Sequence, residues 1–405
     1  MAIILIKFFY KRRIFIIIKK KLNLKKKIYY WSPFLVRIAT PRAVINSAYS
    51  MKKFSSANQC SLINFFGEFN IFKKELVQKE LNTINYFNSS ILKILPKHGK
   101  ILSRFSFILI FILSFLPLKK LISKEKPNYL IIHLITSLPL FLLLIFDFET
   151  KFILRISGLP KLGFLRKFFW SLALKKVFLI TCPSKKTLNY INSLDIVNSN
   201  KIKLLYDPII NVNQITISKK ESKDQNKFDK NNYYFAAGRL TKQKNFIFLC
   251  KAFKQVLLRH PNLKLVIAGH GEDKNEILSF VKKNNLENNI FLIGHVDNVF
   301  YYISRSKGFI LSSLWEDPGF VLVEAAFCRV PIITSDCDNG PKELIKDNIN
   351  GILFKSNNIE NFLIKFDEFV KLKKNSNKIL LNNLKMSKKF TIFNHYLSLM
   401  KILNS

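Results

Sequence analysis

The amino-acid sequence predicts an α/β protein built from two domains, and three observations support this. The chain has 405 residues, which is more than one domain usually contains. Short apolar segments alternate with amphipathic segments in both halves, as strands and helices do in α/β folds. A polar stretch between Thr216 and Tyr233 interrupts this alternation. We therefore predict an N-terminal domain over residues 26–205 and a C-terminal domain over residues 206–385.

The composition describes a folded and strongly basic chain. Lys and Arg number 66 against 26 Asp and Glu, which gives a formal net charge of +40, while 49% of the residues are hydrophobic. This hydrophobic content excludes a disordered basic tail protein. The charge fits either a polyanionic partner or a coding bias toward Lys, Asn, Ile and Phe. The five scattered cysteines argue against a disulfide framework or a structural zinc site, and a reducing cytosol fits them best.

Residues 1–25 interleave apolar and basic side chains ahead of the first strand. Their apolar runs are too short for a secretory signal or a spanning helix. This extension is expected to be either a basic interfacial segment or a dispensable terminus.

In the N-terminal half, strands are predicted over 26–34 and 60–66, with a helix over 41–54 between them. Residues 105–118 are apolar on nearly every face, which predicts either a buried core helix or a helix in a membrane surface, too short to span the bilayer. Residues 129–146 contain His133 and Pro139 and are predicted to divide into a strand, a turn and the start of a helix in a soluble core.

The C-terminal half alternates regularly, which predicts a doubly wound parallel sheet with its ligand crevice at the carboxyl ends of the strands. The predicted strands cover 233–238, 263–269, 290–294, 308–313 and 331–335, and the predicted helices cover 245–260, 273–284, 299–306 and 319–328.

Two loop clusters follow the first two of these strands. Gly238 and Arg239 follow the first strand, and Lys244 lies five positions after Arg239. A guanidinium, an ammonium and a helix N-terminus can converge there on a diphosphate, although two solvated surface cations would look the same. Gly269 and Gly271 follow the second strand, where glycines let the backbone approach a ligand closely.

The third cluster carries two glutamates eight positions apart, Glu316 and Glu324. At about 3.6 residues per turn, this spacing returns both carboxylates to nearly one face. Between them, Gly319, Phe320 and Val321 would present free helix N-terminal N–H groups to an anion. The alternative is that Glu316 is an acid in a surface loop and Glu324 is a salt-bridge partner on the helix. Glu324 lies among apolar neighbours, where an unpaired charge is costly, so a functional role is favoured.

Several motifs occur in order from residue 236 to residue 354: AAGRLTKQKN, LKLVIAGHGED, FLIGHV, WEDPGFVLVEAAFCRVPIITSDCDNGPKELI and NGILF. Together they resemble the carboxyl-terminal domain of family 4 glycosyltransferases of the GT-B fold, of the bacterial lipopolysaccharide and polysaccharide type. The resemblance implies a retaining transferase with two Rossmann-like domains facing across a cleft. It implies that Arg239 and Lys244 bind the donor diphosphate. It also implies that Glu316 contacts the donor sugar and that Glu324 holds the ribose hydroxyls.

A weaker resemblance extends to the N-terminal domain, where a P-D-x-x-H-x-H strand of the family appears as PNYLIIH, ending at His133. It implies that His133 lies beside the donor sugar, whereas a lone His at a strand end is more often structural. Asn128 and Ile131 depart from the motif, and Ser32 stands where relatives often carry a Gly-Gly pair. Arg155, in a basic loop, is expected either to meet an acceptor phosphate or to lie in an exposed turn. The sequence therefore leaves the acceptor-binding residues undecided.

Glycosyl transfer builds negative charge on the departing diphosphate while the sugar becomes oxocarbenium-like. Arg239, Lys244 and the helix end at Gly319 would stabilise that charge without a metal, and the sequence lacks an Asp-x-Asp pair in a suitable loop. No carboxylate nucleophile is evident, so front-face attack by the acceptor is expected. No metal and no cofactor are predicted, with a UDP- or GDP-linked sugar as the donor substrate.

The expected partners are the nucleotide-sugar, a lipid-linked or saccharide acceptor, and the anionic inner surface of the cell membrane. Basic residues near such a surface contribute about 1 kcal/mol each. We therefore expect a cytoplasmic enzyme that binds peripherally to the membrane. Residues 386–405 are expected to form a helix that crosses back to the N-terminal domain. The competing interpretations are a sugar-nucleotide epimerase, a phosphorylase-like enzyme and a non-catalytic membrane-docking homologue. Nucleic acid is not an expected partner, because the charge is spread over both halves without a nucleic-acid motif.

Overall fold

The computed structural model describes residues 26–35, 39–88, 95–96, 102–160, 162–220, 228–371 and 377–404. The extension predicted over residues 1–25 lies outside the described residues. The chain divides into two compact units. Of the described residues, the first contains those up to Pro183 together with Thr187–Pro208 and those from His395 onward, and the second contains Ser184–Lys186 and those from Ile209 to Asn394.

The first unit is built on a seven-stranded parallel sheet in the order β3-β2-β1-β4-β5-β6-β7. Its strands are β1 (Lys27–Trp31), β2 (Gln59–Ile63), β3 (Asn82–Ile84), β4 (Tyr129–Ile132), β5 (Lys151–Arg155), β6 (Leu179–Cys182) and β7 (Ile202–Leu204). The strand order reverses between β1 and β4, which makes their carboxyl ends the switch point where α/β sheets bind ligands.

Helices cover the first sheet. They are α1 (Ala39–Phe54), α2 (Lys73–Gln78), α3 (Leu102–Glu125), α4 (Ser137–Ile145), α5 (Phe164–Lys176) and α6 (Lys185–Ser193), with short 3-10 turns at Glu68–Phe72 and Ser199–Lys201. All four residues of β4 are buried, as expected for a parallel strand covered on both faces. The predicted division of residues 129–146 into strand, turn and helix is confirmed by β4 and α4.

The apolar segment predicted over residues 105–118 is the middle of α3, which runs for 24 residues. The helix continues beyond the apolar run because Leu121 is half-buried and Ile122 is buried against the core. The expectation that this element is too short to span a bilayer is therefore wrong by length. Among the described residues, α3 is the one helix long and apolar enough to cross a membrane, a test that the core helix of a soluble protein also passes.

The second unit has a six-stranded parallel sheet in the order β10-β9-β8-β11-β12-β13. Its strands are β8 (Tyr234–Ala237), β9 (Leu265–Ala268), β10 (Ile290–Gly294), β11 (Gly308–Leu311), β12 (Ile332–Ser335) and β13 (Ile352–Phe354). The predicted order of strands and helices in this half is confirmed, and here the strand order reverses between β8 and β11.

The remaining helices follow in chain order. They are α7 (Val212–Ser218), α8 (Phe246–Arg259), α9 (Lys274–Lys283), α10 (Val299–Arg305), α11 (Phe320–Phe327), α12 (Pro341–Leu344), α13 (Ile359–Lys371), α14 (Asn377–Ser387) and α15 (Ile392–Leu403), with a 3-10 turn at Lys388–Phe390. Residues of α15 from His395 onward belong to the first unit. The core of the second unit is rich in Phe side chains, such as Phe246, Phe253 and Phe366.

Candidate active site

The loops after β8 and β9 lie directly against each other in the second unit. The backbone N–H of Gly238 donates to the carbonyl of Ala268 (3.0 Å), and that of Leu240 donates to the carbonyl of His270 (2.8 Å). A Cβ atom on Gly269 would lie 1.8 Å from the Gly238 oxygen, and one on Gly271 would lie 2.1 Å from the Leu240 oxygen. Both glycines are therefore required by the packing of the two loops, whether or not a ligand approaches them.

Lys244 and Glu316 form a buried ion pair between the loops that follow β8 and β11. The Lys244 Nζ lies 2.5 Å from Glu316 Oε1, and the two side chains are only 13% and 4% exposed. Ser313 Oγ donates to the same carboxylate oxygen over 2.5 Å. A Cβ atom on Gly238 would lie 3.0 Å from Cε of Lys244. The structure thus brings Gly238, Lys244 and Glu316 together, with the carboxylate held by an ammonium and a hydroxyl.

The start of α11 lies over this carboxylate. Gly319 precedes the helix with φ = +82°, a left-handed conformation suited to glycine. An added Cβ atom at Gly319 would lie 3.3 Å from Cγ of Glu316. Phe320 and Val321 begin the helix, where backbone N–H groups have no partner within the helix. This end of α11 can therefore attract a negative charge next to the ion pair.

The other two predicted donor-site residues are more open. Arg239 is exposed, next to the buried Leu240. Glu324 is half-buried in the second turn of α11, where its backbone oxygen accepts from the N–H of Cys328 (3.0 Å). Burial raises the pKa of the Cys328 thiol to about 12, and the charge of Glu324 adds to this shift.

A loop that the sequence analysis quoted in a motif without assigning it a role supports the one bearing Glu316. Asn339 is buried, adopts φ = +62° and donates from Nδ2 to the carboxylate of Asp317. A Cβ atom on Gly340 would lie 2.1 Å from the Pro318 oxygen. The Asn-Gly-Pro run at 339–341 is a turn signal that could have drawn attention to this loop.

His270 and His295 stack beside the glycines, with ring centroids 6.2 Å apart and planes inclined by 26°. The backbone N–H of His295 donates to Nε2 of His270 (3.2 Å), which fixes that nitrogen as the acceptor. Gly294 makes room for the ring, since an added Cβ atom would lie 3.3 Å from Cε1 of His270. The sequence analysis quoted both histidines within motifs but assigned a role only to the adjacent glycines.

In the first unit, Ser32 and His133 follow β1 and β4 at the switch point. Trp31 pairs with Ile132 in the sheet, and the N–H of His133 donates to the Trp31 oxygen (2.9 Å). Both side chains are buried, and within the described part of the chain neither Ser32 Oγ nor His133 Nε2 has a hydrogen-bond partner. Burial lowers the pKa of His133 well below its ordinary value, helped by the positive charge of Arg155.

Arg155 is not in an exposed turn, because it ends β5 with only 3% of its side chain exposed. Its guanidinium pairs with the Asp207 carboxylate and donates to the Ile156 oxygen. The alternative that Arg155 lies in an exposed turn is therefore wrong. The guanidinium can be buried because the Asp207 carboxylate, 52 residues further along the chain, pairs with it. Whether Arg155 meets an acceptor stays a prediction.

A small cavity lies beside these residues in the first unit, with a volume of about 10 Å³, room for about one water. His133, Arg155, Asp207 and His395 are among its lining residues. His395 Nε2 lies 2.8 Å from Ser47 Oγ, and its Nδ1 lies 2.8 Å from the Tyr206 oxygen. The sequence reasoning missed Ser47, Asp207 and His395, which come from segments far apart in the chain.

Among the described residues, no three or more His, Cys, Asp or Glu side chains are grouped so that they could hold a metal ion. All five cysteines are buried free thiols.

Comparisons with known proteins show which proteins the chain resembles. Residues 218–386 match the model of the family described as Glycosyl transferases group 1. The chain is 31% identical over 249 residues to an uncharacterized glycosyltransferase of Methanocaldococcus jannaschii, covering 57% of this chain and 61% of that protein. It is 30% identical over 194 residues to the N-acetylgalactosamine-N,N'-diacetylbacillosaminyl-diphospho-undecaprenol 4-alpha-N-acetylgalactosaminyltransferase of Campylobacter jejuni, covering 47% of this chain and 50% of that protein.

The fold is shared with a solved structure, that of the Anabaena protein HepE in complex with UDP and glucose. The TM-score is 0.68 at 15% identity, covering 94% of this chain and 100% of that one. The protein therefore has the GT-B fold of glycosyltransferases. More particularly, its residues 218–386 form a domain of the Glycosyl transferases group 1 family, as the motifs predict. The chain matches about half to three-fifths of the length of the two curated relatives.

Proposed function

We propose that this protein is a retaining, metal-independent glycosyltransferase. It would move a sugar from a UDP- or GDP-linked donor to a lipid-linked, lipopolysaccharide or polysaccharide acceptor. The observation that carries the proposal is the buried Lys244–Glu316 pair under the start of α11, at the carboxyl ends of β8 and β11. The name of the Campylobacter relative specifies an undecaprenol-linked acceptor, and the HepE structure contains UDP and glucose, which supports this choice of substrate classes.

The donor diphosphate would lie between two cations and the N-terminus of α11. An ammonium donates three hydrogen bonds, and the contact with Glu316 uses one, so Lys244 keeps donors for a diphosphate oxygen. Arg239 is exposed and would close over the same group with its planar fork of N–H donors. The N–H groups of Phe320 and Val321 would complete the site. This arrangement stabilises the charge that builds on the leaving diphosphate.

Glu316 would contact the donor sugar, and Glu324 would bind the ribose hydroxyls. Because Lys244 and Ser313 already bond Glu316 at the same oxygen, its carboxylate is fixed in position. The lowered pKa of His133 keeps its imidazole neutral near pH 7. Its Nε2 would then donate one hydrogen bond to a sugar hydroxyl or accept one from it. No enzyme nucleophile is assigned. The acceptor hydroxyl would therefore attack the donor sugar from its front face, which retains the anomeric configuration.

A lipid-linked acceptor would place the enzyme at a membrane. We propose a cytoplasmic protein that binds peripherally to the inner face of the cell membrane, without a cofactor and without a nucleic-acid partner. The net charge of +40 favours an anionic surface.

The test is calorimetric binding of UDP, GDP and ADP to the purified full chain. One nucleotide is expected to bind, and Arg239→Ala and Glu324→Ala are each expected to weaken it by about ten- to a hundredfold, the loss typical of charge-assisted hydrogen bonds. Lys251→Ala and Glu360→Ala are matched controls, because both residues are exposed on helices of the same unit. If none of the three nucleotides binds to folded protein, the donor site is rejected and a non-catalytic docking protein takes its place.

A further inference from the structure

Helix α3 buries two small polar side chains beside its apolar inner residues and exposes a stripe of large apolar side chains. Ser106 and Ser114 are fully buried. The opposite stripe is 57–62% exposed and consists of Phe105, Ile108, Ile112 and Leu116. A helix that only serves the core of a soluble protein exposes a polar side instead. The outward stripe of α3 therefore exposes large apolar side chains to solvent, which is unfavourable unless a partner covers them.

Helix α5 begins with a second exposed apolar group. Phe164, Leu165 and Phe168 are 86%, 81% and 60% exposed, and Arg166 and Lys167 between them are exposed as well. Helix α4 joins the two groups, because it contacts both α3 and α5. The rings of Phe111 and Phe141 mark the first of these contacts, with centroids 5.7 Å apart. We call the exposed side of these three helices the α3–α5 face.

The α3–α5 face is basic as well as apolar. The three helices contain eight basic residues and one acidic residue, Glu125, which pairs with Lys27. Exposed Arg104 precedes the apolar stripe of α3, and exposed Lys120 and Lys124 follow it. This distribution puts cations at the edge of an apolar patch, which matches the headgroup and acyl layers of an anionic bilayer. The same charge disfavours a second copy of this face as the partner.

The placement of α3 excludes a spanning role for it in this fold. It connects β3 and β4, two parallel strands of one sheet, and Ile110, Leu118 and Ile122 on its inner side pack into the core of the first unit. One side only is left for lipid, so the helix would lie along the membrane surface.

We propose that the α3–α5 face docks this protein on an anionic phospholipid bilayer. The outward stripe of α3 and the first turn of α5 enter the interface, and the flanking cations bind the headgroups. The choice of a bilayer, which would carry a lipid-linked acceptor, rests on the proposed function. The exposed side chains and their charge support the docking independently.

The test is flotation of the full chain with vesicles of phosphatidylcholine, with and without phosphatidylglycerol. Binding is expected to be stronger with phosphatidylglycerol. The double variants Phe164→Ser/Leu165→Ser and Ile108→Ser/Ile112→Ser are each expected to weaken it by about tenfold or more, since each removes two large apolar side chains from the interface. Leu258→Ser is the matched control: Leu258 is 76% exposed on α8 of the second unit and should leave binding unchanged.

A charge series separates headgroup contact from apolar insertion. Lys120→Gln and Lys167→Gln are each expected to weaken binding to phosphatidylglycerol vesicles about fivefold, whereas Lys251→Gln is not. High salt should reduce the binding of the unchanged protein without abolishing it, because the apolar part of the interaction is not screened.

The proposal is overturned if the double variants bind vesicles as the unchanged protein does, or if no vesicle binds. It is also overturned if the Phe164→Ser/Leu165→Ser variant converts an oligomer into a monomer, because a second copy then covers the face. Circular dichroism and the thermal midpoint establish that each variant is folded. Nucleotide binding measured on the same samples separates the two proposals: vesicle binding without nucleotide binding rejects the transferase alone, and the converse rejects the docking face alone.

Discussion

Glu316 illustrates how much a single residue depends on its partners. Its carboxylate is 4% exposed and is held in place by Lys244 and Ser313, which come from different loops. A buried ion pair is weak evidence of stabilisation, because desolvation opposes the attraction, but breaking it leaves an uncompensated charge.

Lys244→Met is therefore expected to lower the free energy of unfolding by about 3–5 kcal/mol. Glu316→Gln should cost less, because its amide oxygen can still accept from Ser313. The double variant should recover about 1–3 kcal/mol relative to the sum of the single variants, as coupled residues do. Urea denaturation of the three variants measures this cycle. The exposed pair of Arg259 and Asp367 provides the control, where Arg259→Met should change stability by less than about 1 kcal/mol. Additive single effects would contradict the coupling.

His395 gives the first unit a pH dependence. Burial lowers its pKa from 6.5 to about 4, so the unfolded chain binds this proton at a higher pH than the folded chain does. The stability contributed by neutral His395 is therefore present above about pH 6.5 and is lost as the pH falls toward about 4, by about 3 kcal/mol in total. Burial also lowers the pKa of His133.

Urea denaturation of the unchanged protein and of His395→Gln at about pH 7 and about pH 5 isolates this contribution. The unchanged protein is expected to lose more stability between the two conditions than the variant does. Equal losses would mean that His395 is not buried in the neutral form.

At the scale of elements, the two glycine loops of the second unit hold each other in place. Gly269→Ala and Gly271→Ala are each expected to destabilise the protein by about 1–3 kcal/mol, because an added Cβ atom would meet backbone oxygens that cannot move freely. Gly163→Ala is the matched control. An added Cβ atom there has nothing within 4 Å, so its effect should stay within about 0.5 kcal/mol. Thermal and urea unfolding check all three, and similar values would show that the loops are free to adjust.

Elements were also the level at which the sequence was most informative. Periodicity and turn residues predicted the strand and helix order of the second unit and the strand-turn-helix division of residues 129–146. Local pattern could not decide which side of residues 105–118 faces water, because that segment is apolar all round. Packing against the core of the first unit decided it, and placed Ser106 and Ser114 inside.

At the scale of the whole molecule, the proposed function predicts that nucleotide binding protects backbone amides of the second unit and leaves the strands of the first unit unchanged. Hydrogen exchange of the full chain with UDP or GDP is expected to slow the backbone amides of Gly238, Gly269 and Gly271 and those at the start of α11. Strands β1 to β7 should be unaffected. Glu324→Ala should remove most of this protection at the same nucleotide concentration. Protection confined to the first unit would contradict the assignment of the donor site.

The sequence by itself determined the α/β class, the order of elements and the glycosyltransferase motifs, because periodicity, turn signals and motif spacing are local properties of the chain. Only the tertiary structure decided that Lys244 pairs with Glu316, 72 residues away, and that Arg155 is buried on Asp207, 52 residues away. It also decided which side of α3 meets solvent. These features depend on contacts between segments that are distant in the chain, and such contacts form only when the chain folds.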